Sequence, residues 1–593
     1  MVKVSDYIFD FLLSKGVDTI FMVSGGAAAH LMNSVKEKGI KYICCQHEQA
    51  CAMAAEGYAR IANKPACVLV TNGPGSSNTI TGVLGAYQDS IPMIIISGQV
   101  PVNQTMRANL SQIRQLGVQE CNIISMVKNI TKYSIQLTSP NFVQEHLNIA
   151  YDLATTGRKG PVWLDVPLDI QNSQIEIKYK DINFEPQTPK VFDYSKIINL
   201  ITNSKRPLII TGNGIHLSKS EGLFNILKDR LQIPVISTWT SKDLMSFDDP
   251  LFVGTFGILG ERAANFAVQN ADLLLILGSR MSIPNVGYQS HLFSPNSIKI
   301  MVDIDQEEMD KPTIKIDYPI NEDLHKFMSK LLVTLTLADT KSDVTPLPNF
   351  YSWIKKTQEW KKKYPVFQSG YEEVPNRKSI NSYHFMELLS KELTNNHIIV
   401  TDMGTSYTCT MQALKMNGKN RLFTSSACCS MGFGLPGAIG AYFADPTKEI
   451  ILIAGDGGFQ MNIQELQTVV HYKIPIKIFI LNNKGYLAIS LMQDNLFKSN
   501  YIGANKKSGV SSPDFVKVAK AYGIDAVQIA NYHMLGKLLE NKRALLIEVP
   551  MEENQPLIPR VQSSKKEDGS IISNSLENMF PYLDEEEMKN IML

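Results

Sequence analysis

The sequence predicts an α/β protein built from three doubly wound parallel-sheet domains. Short apolar runs alternate with segments in which apolar side chains recur at helical spacing, as at Tyr7, Ile8, Phe11 and Leu12. The apolar runs are largely continuous, which is typical of parallel strands buried on both faces. The chain also has 593 residues, more than one hydrophobic core usually supports. Three successive α/β units account for that length.

The first domain is expected over residues 1–175, and its clearest strands are residues 66–70, 93–97 and 162–166. A polar stretch, residues 174–189, has the composition of a linker. The second domain is expected over residues 190–340, with strands near residues 207–214, 234–237, 273–278 and 298–304. Several of these runs end in or next to Gly, Ser or Asp, as strands do where they open onto a ligand crevice.

The third domain is expected over residues 379–550, beginning with a helix at residues 381–393 and a strand at residues 397–401. A tail, residues 551–593, follows it and carries a basic patch at Lys565-Lys566 and an acidic patch at residues 584–587. Chain ends more often carry packed structure or disorder than a functional site. Two interpretations of the tail stay open, a lid over a site and a packed extension.

Charge and composition argue against nucleic-acid and membrane partners. The chain has 58 basic and 57 acidic residues, so it lacks the basic footprint that a polyanion requires. No apolar run reaches membrane-spanning length, and charges at Lys3, Asp6, Asp10 and Lys15 interrupt the start in a way that signal peptides do not show. Eight cysteines without a Cys-x-x-Cys motif favour reduced thiols. We expect a cytoplasmic protein acting on a small molecule.

Two polar motifs follow predicted strands of the third domain. Gly455-Asp456-Gly457-Gly458 comes after one apolar run, and Asn482-Asn483-Lys484-Gly485 comes after the next. Hard oxygen ligands at neighbouring strand ends suit a Mg²⁺ ion, and glycines let backbone amides approach phosphate oxygens at a helix start. The pair predicts a magnesium–diphosphate site with metal ligands Asp456, Asn483 and the Gly485 carbonyl. Gly457, Gly458 and Tyr486 complete its expected lining.

The chain here resembles the thiamine-diphosphate-dependent enzymes, and among them the acetolactate synthase group. The resemblance covers nearly the whole length. It is carried, besides the two motifs above, by Gln46-His47-Glu48-Gln49 with Ala55-Glu56-Gly57-Tyr58-Ala59-Arg60, Asn72-Gly73-Pro74-Gly75-Ser76-Ser77-Asn78, Ser97-Gly98-Gln99-Val100-Pro101, Met431-Gly432-Phe433-Gly434-Leu435-Pro436 and Phe459-Gln460-Met461-Asn462.

The resemblance assigns a catalytic role to Glu48. In this family a glutamate at that position shares a proton with the pyrimidine ring of thiamine diphosphate, which makes the thiazolium carbon nucleophilic. The other interpretation is that Glu48 only favours the start of its helix through the helix dipole. Gln99 and Gln119 are further candidates, as residues that line the substrate pocket.

The resemblance also assigns residues that hold the cofactor. Met431 matches the bulky residue that bends the cofactor into its V shape, and the Cys429 carbonyl matches the acceptor of its 4′-amino group. Gly404, Thr405 and Ser406 match a second diphosphate contact. Core packing for Met431 and an ordinary turn for residues 404–406 are the alternatives.

The same resemblance implies partners and a second cofactor. In the family, the first domain of one subunit and the last domain of another share each active site, so a homodimer or homotetramer is expected. The central domain, with Gly212, Gly278 and Asp303 after its strands, resembles the flavin-holding domain of acetolactate synthases. FAD is therefore a possible cofactor, although the same glycines suit a domain that binds nothing.

The chain departs from its relatives at substrate positions. Leu168 stands where acetolactate synthases have a Lys, Pro284 stands where they have an Arg that holds the acceptor carboxylate, and the Trp expected within residues 486–493 is absent. Loss of an Arg clamp removes charge-assisted bonds to a carboxylate. Pyruvate decarboxylases have paired histidines that this chain lacks, and a Glu where it has Ile489.

We therefore expect a thiamine-diphosphate enzyme that forms or cleaves a carbon–carbon bond next to the carbonyl of a 2-oxo acid or a related compound. Two alternatives stay open. One is hydrolytic cleavage of a cyclic 1,2-dione, and the other is a family member without catalysis that serves assembly only.

Overall fold

The computed structural model describes residues 1–106, 113–177, 191–340, 346–368, 370–371, 379–529, 532–565 and 571–593. Within them lie three six-stranded sheets, and every strand pair inside each of these sheets is parallel. The predicted fold class is therefore confirmed. Most of the expected linker, residues 178–190, lies outside the described residues.

The first sheet has the strand order second, first, third, fourth, sixth, fifth. Its strands are Thr19–Met22, Lys41–Cys44, Ala66–Val70, Met93–Gln99, Tyr133–Gln136 and Pro161–Pro167. Its main helices are Val4–Ser14, Ala29–Glu37, Glu48–Ala62, Ile80–Gln88 and Val143–Thr155, with shorter ones at Pro74–Ser77, Ile123–Val127 and Leu168–Asn172.

The central sheet has the order third, second, first, fourth, fifth, sixth, which is that of dinucleotide-binding folds. Its strands are Pro207–Thr211, Val235–Ser237, Phe252–Thr255, Leu273–Leu277, Ile298–Asp303 and Tyr318–Asn321. Its main helices are Tyr194–Asn203, Glu221–Leu231, Arg262–Asn270 and Leu324–Asp339, and Tyr351–Lys363 leads on to the last domain.

The third sheet repeats the strand order of the first. Its strands are His397–Thr401, Arg421–Phe423, Glu449–Gly455, Lys477–Asn482, Asp525–Gln528 and Leu545–Pro550. Its helices are Ser382–Glu392, Thr405–Ala413, Gly434–Ala444, Asp456–Gln460, Leu466–His471, Leu487–Phe497, Phe515–Ala521 and Leu535–Leu539.

Each sheet is covered by helices on both faces, because its strands are apolar on both sides. In Ala66–Val70, for example, Cys67 and Leu69 belong to one buried cluster while Val68 and Val70 belong to another on the opposite face. The central and third sheets show the same alternation between two clusters. This is the doubly wound arrangement that continuous apolar runs predict.

The first and third domains pack directly on each other through two helices, Glu48–Ala62 and Gly434–Ala444. The helices approach so closely that a Cβ built on Gly57 would overlap the Gly437 carbonyl. A Cβ on Gly440 would likewise overlap the Ala54 carbonyl. Glycine at these positions lets the helix backbones touch, and this contact sets how the two domains meet.

We predict that Gly57→Ala lowers the apparent unfolding temperature by several degrees, because the added methyl group forces the two helices apart at a cost of about 1–3 kcal/mol. Gly222→Ala is the matched control, since Gly222 also lies in a helix but has open space where its Cβ would point. Thermal unfolding followed by circular dichroism measures both. An equal effect of the two substitutions would contradict a tight helix contact.

The tail is a packed extension of the central domain in its described residues. The Asn265 side chain donates to the Leu576 carbonyl at 2.9 Å, and the Asn270 side chain donates to the Ile591 carbonyl at 3.1 Å. In the acidic patch, Glu587 pairs with Lys363 at 2.6 Å. Lys566 of the basic patch lies outside the described residues. None of the helices described is long and apolar enough for a bilayer crossing.

Candidate active site

The two sequence motifs of the third domain meet at one edge of its sheet. Asp456 follows the strand Glu449–Gly455, and Asn483 follows its parallel neighbour Lys477–Asn482. One terminal atom of the Asn483 amide lies 3.0 Å from Asp456 Oδ1 and 2.8 Å from the Gly485 carbonyl oxygen. The adjacency predicted from the two strand ends is thus present in the fold.

The chemistry of this cluster depends on which amide atom points inward. As a nitrogen it donates to both oxygens, and as an oxygen it completes a group of three acceptors. Ligand oxygens around Mg²⁺ stand about 2.9 Å apart when they occupy adjacent octahedral positions. The two observed spacings suit that value as well as hydrogen bonds, so the cluster can hold a divalent cation when the amide oxygen points inward. Among the described residues, no group of three His, Cys, Asp or Glu side chains offers another metal site.

The Asp456 carboxyl group is buried, and burial raises its pKa to about 6. Two hydrogen bonds oppose this shift, from Ser512 Oγ at 2.6 Å and from the Gly457 amide at 3.0 Å. Ionising a buried carboxylate is costly unless a positive charge accompanies it. A divalent cation at this position would supply that charge.

The glycines after Asp456 leave room for their neighbours and for a ligand. A Cβ on Gly457 would overlap the ring of Tyr486, and a Cβ on Gly458 would come within 2.6 Å of Asp402 Oδ1. The backbone here is therefore pressed between two side chains, at the start of the short helix Asp456–Gln460. Only glycine fits at both positions.

The predicted second diphosphate contact lies at the beginning of the helix Thr405–Ala413, with Gly404 as its N-cap. Gly404 and Thr405 line the same cavity as Asp456. The Ser406 hydroxyl instead donates to backbone carbonyls of Asp402 and Met403 at 3.1 and 3.3 Å. Gly404 and Thr405 thus border the cavity at a helix N-terminus, where phosphate could bind, whereas the Ser406 hydroxyl is engaged within the turn.

Cys429 and Met431 lie in a loop that borders the same cavity. Cys429 has a φ of 56°, in the left-handed region that favours glycine. The following turn is fixed by buried Asp402, which accepts hydrogen bonds from the amides of Gly432 at 3.0 Å and Gly434 at 2.9 Å.

One cavity of about 770 Å³ joins this site to the central domain. Its far end lies where the first and fourth central strands finish, beside Gly212 and Gly278, and Arg158 and Asp89 of the first domain form part of its wall. Its near end, formed by the third domain, is lined by large apolar residues and by several polar ones. The large apolar residues include Met403, Met431, Leu481, Leu487, Ile489 and Met551, and the polar ones include Asp456, Asn483, Thr405 and Glu552.

The sequence departures lie in this cavity. Pro284 and Ile489 both line it, and no Lys or Arg occurs among the lining residues of the third domain. Arg280 also lines it, and its guanidinium donates to the Gln88 carbonyl at 3.2 Å. The third domain therefore provides no cationic side chain for a carboxylate, while Arg158, Lys159 and Arg280 line the cavity from the other two domains.

Glu48 does not line the cavity that contains Asp456. It is the first residue of the helix Glu48–Ala62, is partly exposed, and accepts a hydrogen bond from the Asn78 side chain at 2.9 Å. Within one chain the structure thus separates Glu48 from the cluster of Asp456, Asn483 and Gly485. This is the separation expected if the two belong to active sites shared between subunits.

Gln99 and Gln119 lie outside the cavity as well. The Gln99 amide is buried and bonds to the Cys121 carbonyl, the Asp165 carboxylate and the Val100 amide at 3.2, 3.2 and 3.0 Å. Because Gln99 and Gln119 belong to the first domain, as Glu48 does, their place in a site shared between subunits stays a prediction. Gln119 is exposed, with a φ of 56°.

Sequence reasoning missed three polar residues that support the site. Asp402 ends a predicted strand, a position that could have flagged it. Ser512 lies far along the chain from Asp456, and Asp89 contacts the Cys429 loop from another domain. No sequence motif marks either of these two residues.

Comparison with known proteins agrees with this geometry. Three family models match the chain, described as the N-terminal TPP binding domain, the central domain and the C-terminal TPP binding domain of thiamine pyrophosphate enzymes, over residues 2–126, 194–331 and 402–550. The acetolactate synthase large subunit of Lactococcus lactis is 32% identical over 577 residues, covering 96% of each chain. A probable acetolactate synthase large subunit of Methanocaldococcus jannaschii is 32% identical, covering 94% of each.

The mitochondrial acetolactate synthase catalytic subunit of Saccharomyces cerevisiae is 31% identical and covers 93% of this chain and 81% of its own. These matches and the site support a thiamine-diphosphate-dependent enzyme that makes or breaks carbon–carbon bonds of 2-oxo acids. The chain belongs to the thiamine pyrophosphate enzyme family, within its acetolactate synthase-like group.

Proposed function

We propose that this enzyme decarboxylates a 2-oxo acid and joins the remaining acyl group to a carbonyl acceptor that carries no carboxylate. The net reaction converts a 2-oxo acid and an aldehyde or ketone into a hydroxyketone and carbon dioxide. The observation that carries the proposal is the lining of the cavity, to which the third domain contributes no Lys or Arg and in which Pro284 and Ile489 stand. A second carboxylate would be poorly solvated there.

Bound thiamine diphosphate supplies a carbon nucleophile that adds to the donor carbonyl and takes up the electron pair left by decarboxylation. The chain's own residues hold and orient it. Met431 and the Cys429 carbonyl would position its pyrimidine, and Glu48 would exchange a proton with that ring. The apolar lining excludes water and favours the change from a charged carboxylate to neutral carbon dioxide.

Mg²⁺ is the cation proposed for the cluster of Asp456, Asn483 and the Gly485 carbonyl. A small hard cation prefers oxygen ligands and keeps open positions for phosphate oxygens. The distances from the Asn483 amide to the Asp456 and Gly485 oxygens, 3.0 and 2.8 Å, suit adjacent octahedral ligands. Gly404, Thr405, Gly457 and Gly458 would hold the rest of the diphosphate through backbone and hydroxyl donors.

FAD is proposed for the far end of the cavity. The turns after the first and fourth central strands touch, since a Cβ on Gly212 would overlap the Gly278 carbonyl. This is the switch point of the strand order, where open α/β sheets bind dinucleotides. The proposed reaction transfers no net electrons, so the flavin would contribute shape and binding. Native mass spectrometry of the purified protein tests for FAD, thiamine diphosphate and Mg²⁺ together.

A homodimer or a larger homo-oligomer is proposed, because Glu48 and Asp456 do not share a cavity within one chain. A partly exposed apolar face beside the metal cluster supports this proposal. It comprises Ile489, Met492 and Leu496 at helical spacing, 37–39% exposed, followed by Phe497 and Ile502. The cytoplasm is the proposed compartment, since all eight cysteines are unpaired.

Product analysis with purified enzyme tests the proposed reaction. We expect carbon dioxide release from pyruvate or a larger 2-oxo acid, with hydroxyketone formed when an aldehyde or neutral ketone is added. With pyruvate alone, we expect little acetolactate. Acetolactate as the main product, undiminished by neutral acceptors, would refute the acceptor class. Hydrolysis of a cyclic 1,2-dione without carbon dioxide release would favour the hydrolytic alternative.

A further inference from the structure

The loop of residues 425–433, here called the cofactor loop, is held at both ends by buried carboxylates. Asp402 of the same domain fixes its end through the amides of Gly432 and Gly434. Asp89 of the first domain fixes its beginning, accepting from the Ser426 amide at 2.7 Å and from the Ala427 amide at 3.1 Å. Cys429 and Met431 lie between these two attachments.

Asp89 is itself held firmly. It follows the last residue of the helix Ile80–Gln88, and the Arg60 guanidinium binds its carboxylate. Arg60 also donates to Glu56 through Nε at 3.1 Å and Nη2 at 2.8 Å. The side chains of Arg60 and Asp89 are only 4% and 7% exposed. Buried charge-assisted bonds of this kind are short and directional, so they leave the carboxylate little freedom.

We propose that Asp89 is a positioning residue for the reaction, which sets where the cofactor loop presents the Cys429 carbonyl and Met431 to the pyrimidine. The inference rests on the proposed function of that loop. The Asp456 cluster, which carries the diphosphate, lies on different loops. Loss of the Asp89 bonds therefore moves the reacting half of the cofactor and leaves its anchored half in place.

Asp89→Asn tests this inference, because it keeps the side-chain shape and removes the negative charge that holds two amides and Arg60. Asp272→Asn is the matched control. The Asp272 carboxylate also accepts from two successive amides, Lys205 at 2.8 Å and Arg206 at 2.9 Å, and it does not line the cavity. A general effect of removing a carboxylate that binds two successive amides would appear in both variants.

The first readout is hydrogen exchange of the cofactor-free protein, measured by mass spectrometry. We expect peptides covering residues 425–433 to exchange at least ~10-fold faster in Asp89→Asn and to be unchanged in Asp272→Asn. The second readout separates kcat from cofactor affinity. We expect kcat of Asp89→Asn to fall at least ~10-fold, because a displacement of about 1 Å is enough for such a loss, with thiamine diphosphate affinity within ~3-fold of wild type.

Unchanged exchange in Asp89→Asn would overturn the inference, and so would a loss of kcat no greater than that of the control. A fall in affinity equal to the fall in kcat would also overturn it, since Asp89 would then act on binding in general. If Asp89→Asn fails to fold, Arg60→Lys provides the same test with smaller expected effects, because Lys keeps the charge but loses the forked contact. A wild type without activity on any 2-oxo acid would refute the proposed function, and the exchange result would still decide whether Asp89 holds the loop.

Discussion

Asp456→Ala is expected to abolish activity and to weaken magnesium-dependent binding of thiamine diphosphate at least ~100-fold, or by about 2.7 kcal/mol. The substitution removes the only charged ligand of the proposed cluster and leaves two neutral ligands, the Asn483 amide oxygen and the Gly485 carbonyl oxygen. It also frees the Ser512 hydroxyl, which donates to the Asp456 carboxylate in the native chain. Isothermal titration calorimetry with and without Mg²⁺ measures the effect.

Two further variants make this measurement specific. Asp456→Asn keeps an oxygen at the ligand position without its charge, so its affinity should fall between those of wild type and Asp456→Ala. Asp525→Ala is the control, since Asp525 pairs with Arg543 at 2.9 Å on an edge strand of the same domain and does not line the cavity. Cofactor binding by Asp456→Ala that equals that of wild type, or wild-type binding that does not depend on Mg²⁺, would exclude the proposed cation site.

Strand burial explains how much of the fold could be predicted from the sequence. Interior strands such as Leu273–Leu277 and His397–Thr401 are buried throughout and stand out as continuous apolar runs. Several strands that the pattern missed lie at sheet edges, for instance Lys41–Cys44 and Asp525–Gln528, each with one buried residue of four. An edge strand borders one neighbour and partly faces solvent, so its composition resembles that of a loop.

The residues of the candidate site likewise fall into two groups, those that the sequence predicts and those that it does not. Asp456 and Asn483 follow adjacent interior strands, so the sequence places them together once a parallel sheet is predicted. Ser512 and Asp89 reach the site across long stretches of chain or from another domain, and their own surroundings carry no motif. Local patterns identify groups attached to strand ends, whereas supporting contacts depend on how finished domains pack.

Glu48→Gln is expected to lower kcat ~10²–10³-fold, the usual contribution of a positioned proton donor or acceptor. The amide keeps the size of the side chain and can still accept from Asn78, so the helix Glu48–Ala62 should be unchanged. Because the proposed diphosphate anchor is the Asp456 cluster and not Glu48, magnesium-dependent cofactor affinity should stay within ~3-fold of wild type. Steady-state kinetics and calorimetry report these two quantities separately. An unchanged kcat would indicate that Glu48 only favours the start of its helix.

Mixing the two inactive variants tests whether the active site is shared. In a heterodimer of Glu48→Gln and Asp456→Ala, one site receives both substitutions and the other receives an intact Glu48 from one subunit and an intact Asp456 from its partner. With equal co-expression, half of the dimers are mixed and half of their sites are intact, so about a quarter of wild-type activity should return. If each chain carried its own complete site, every site would contain one substitution and no activity would return. Homodimers of each variant, prepared in parallel, give the baseline, and differently tagged subunits confirm that mixed dimers are present.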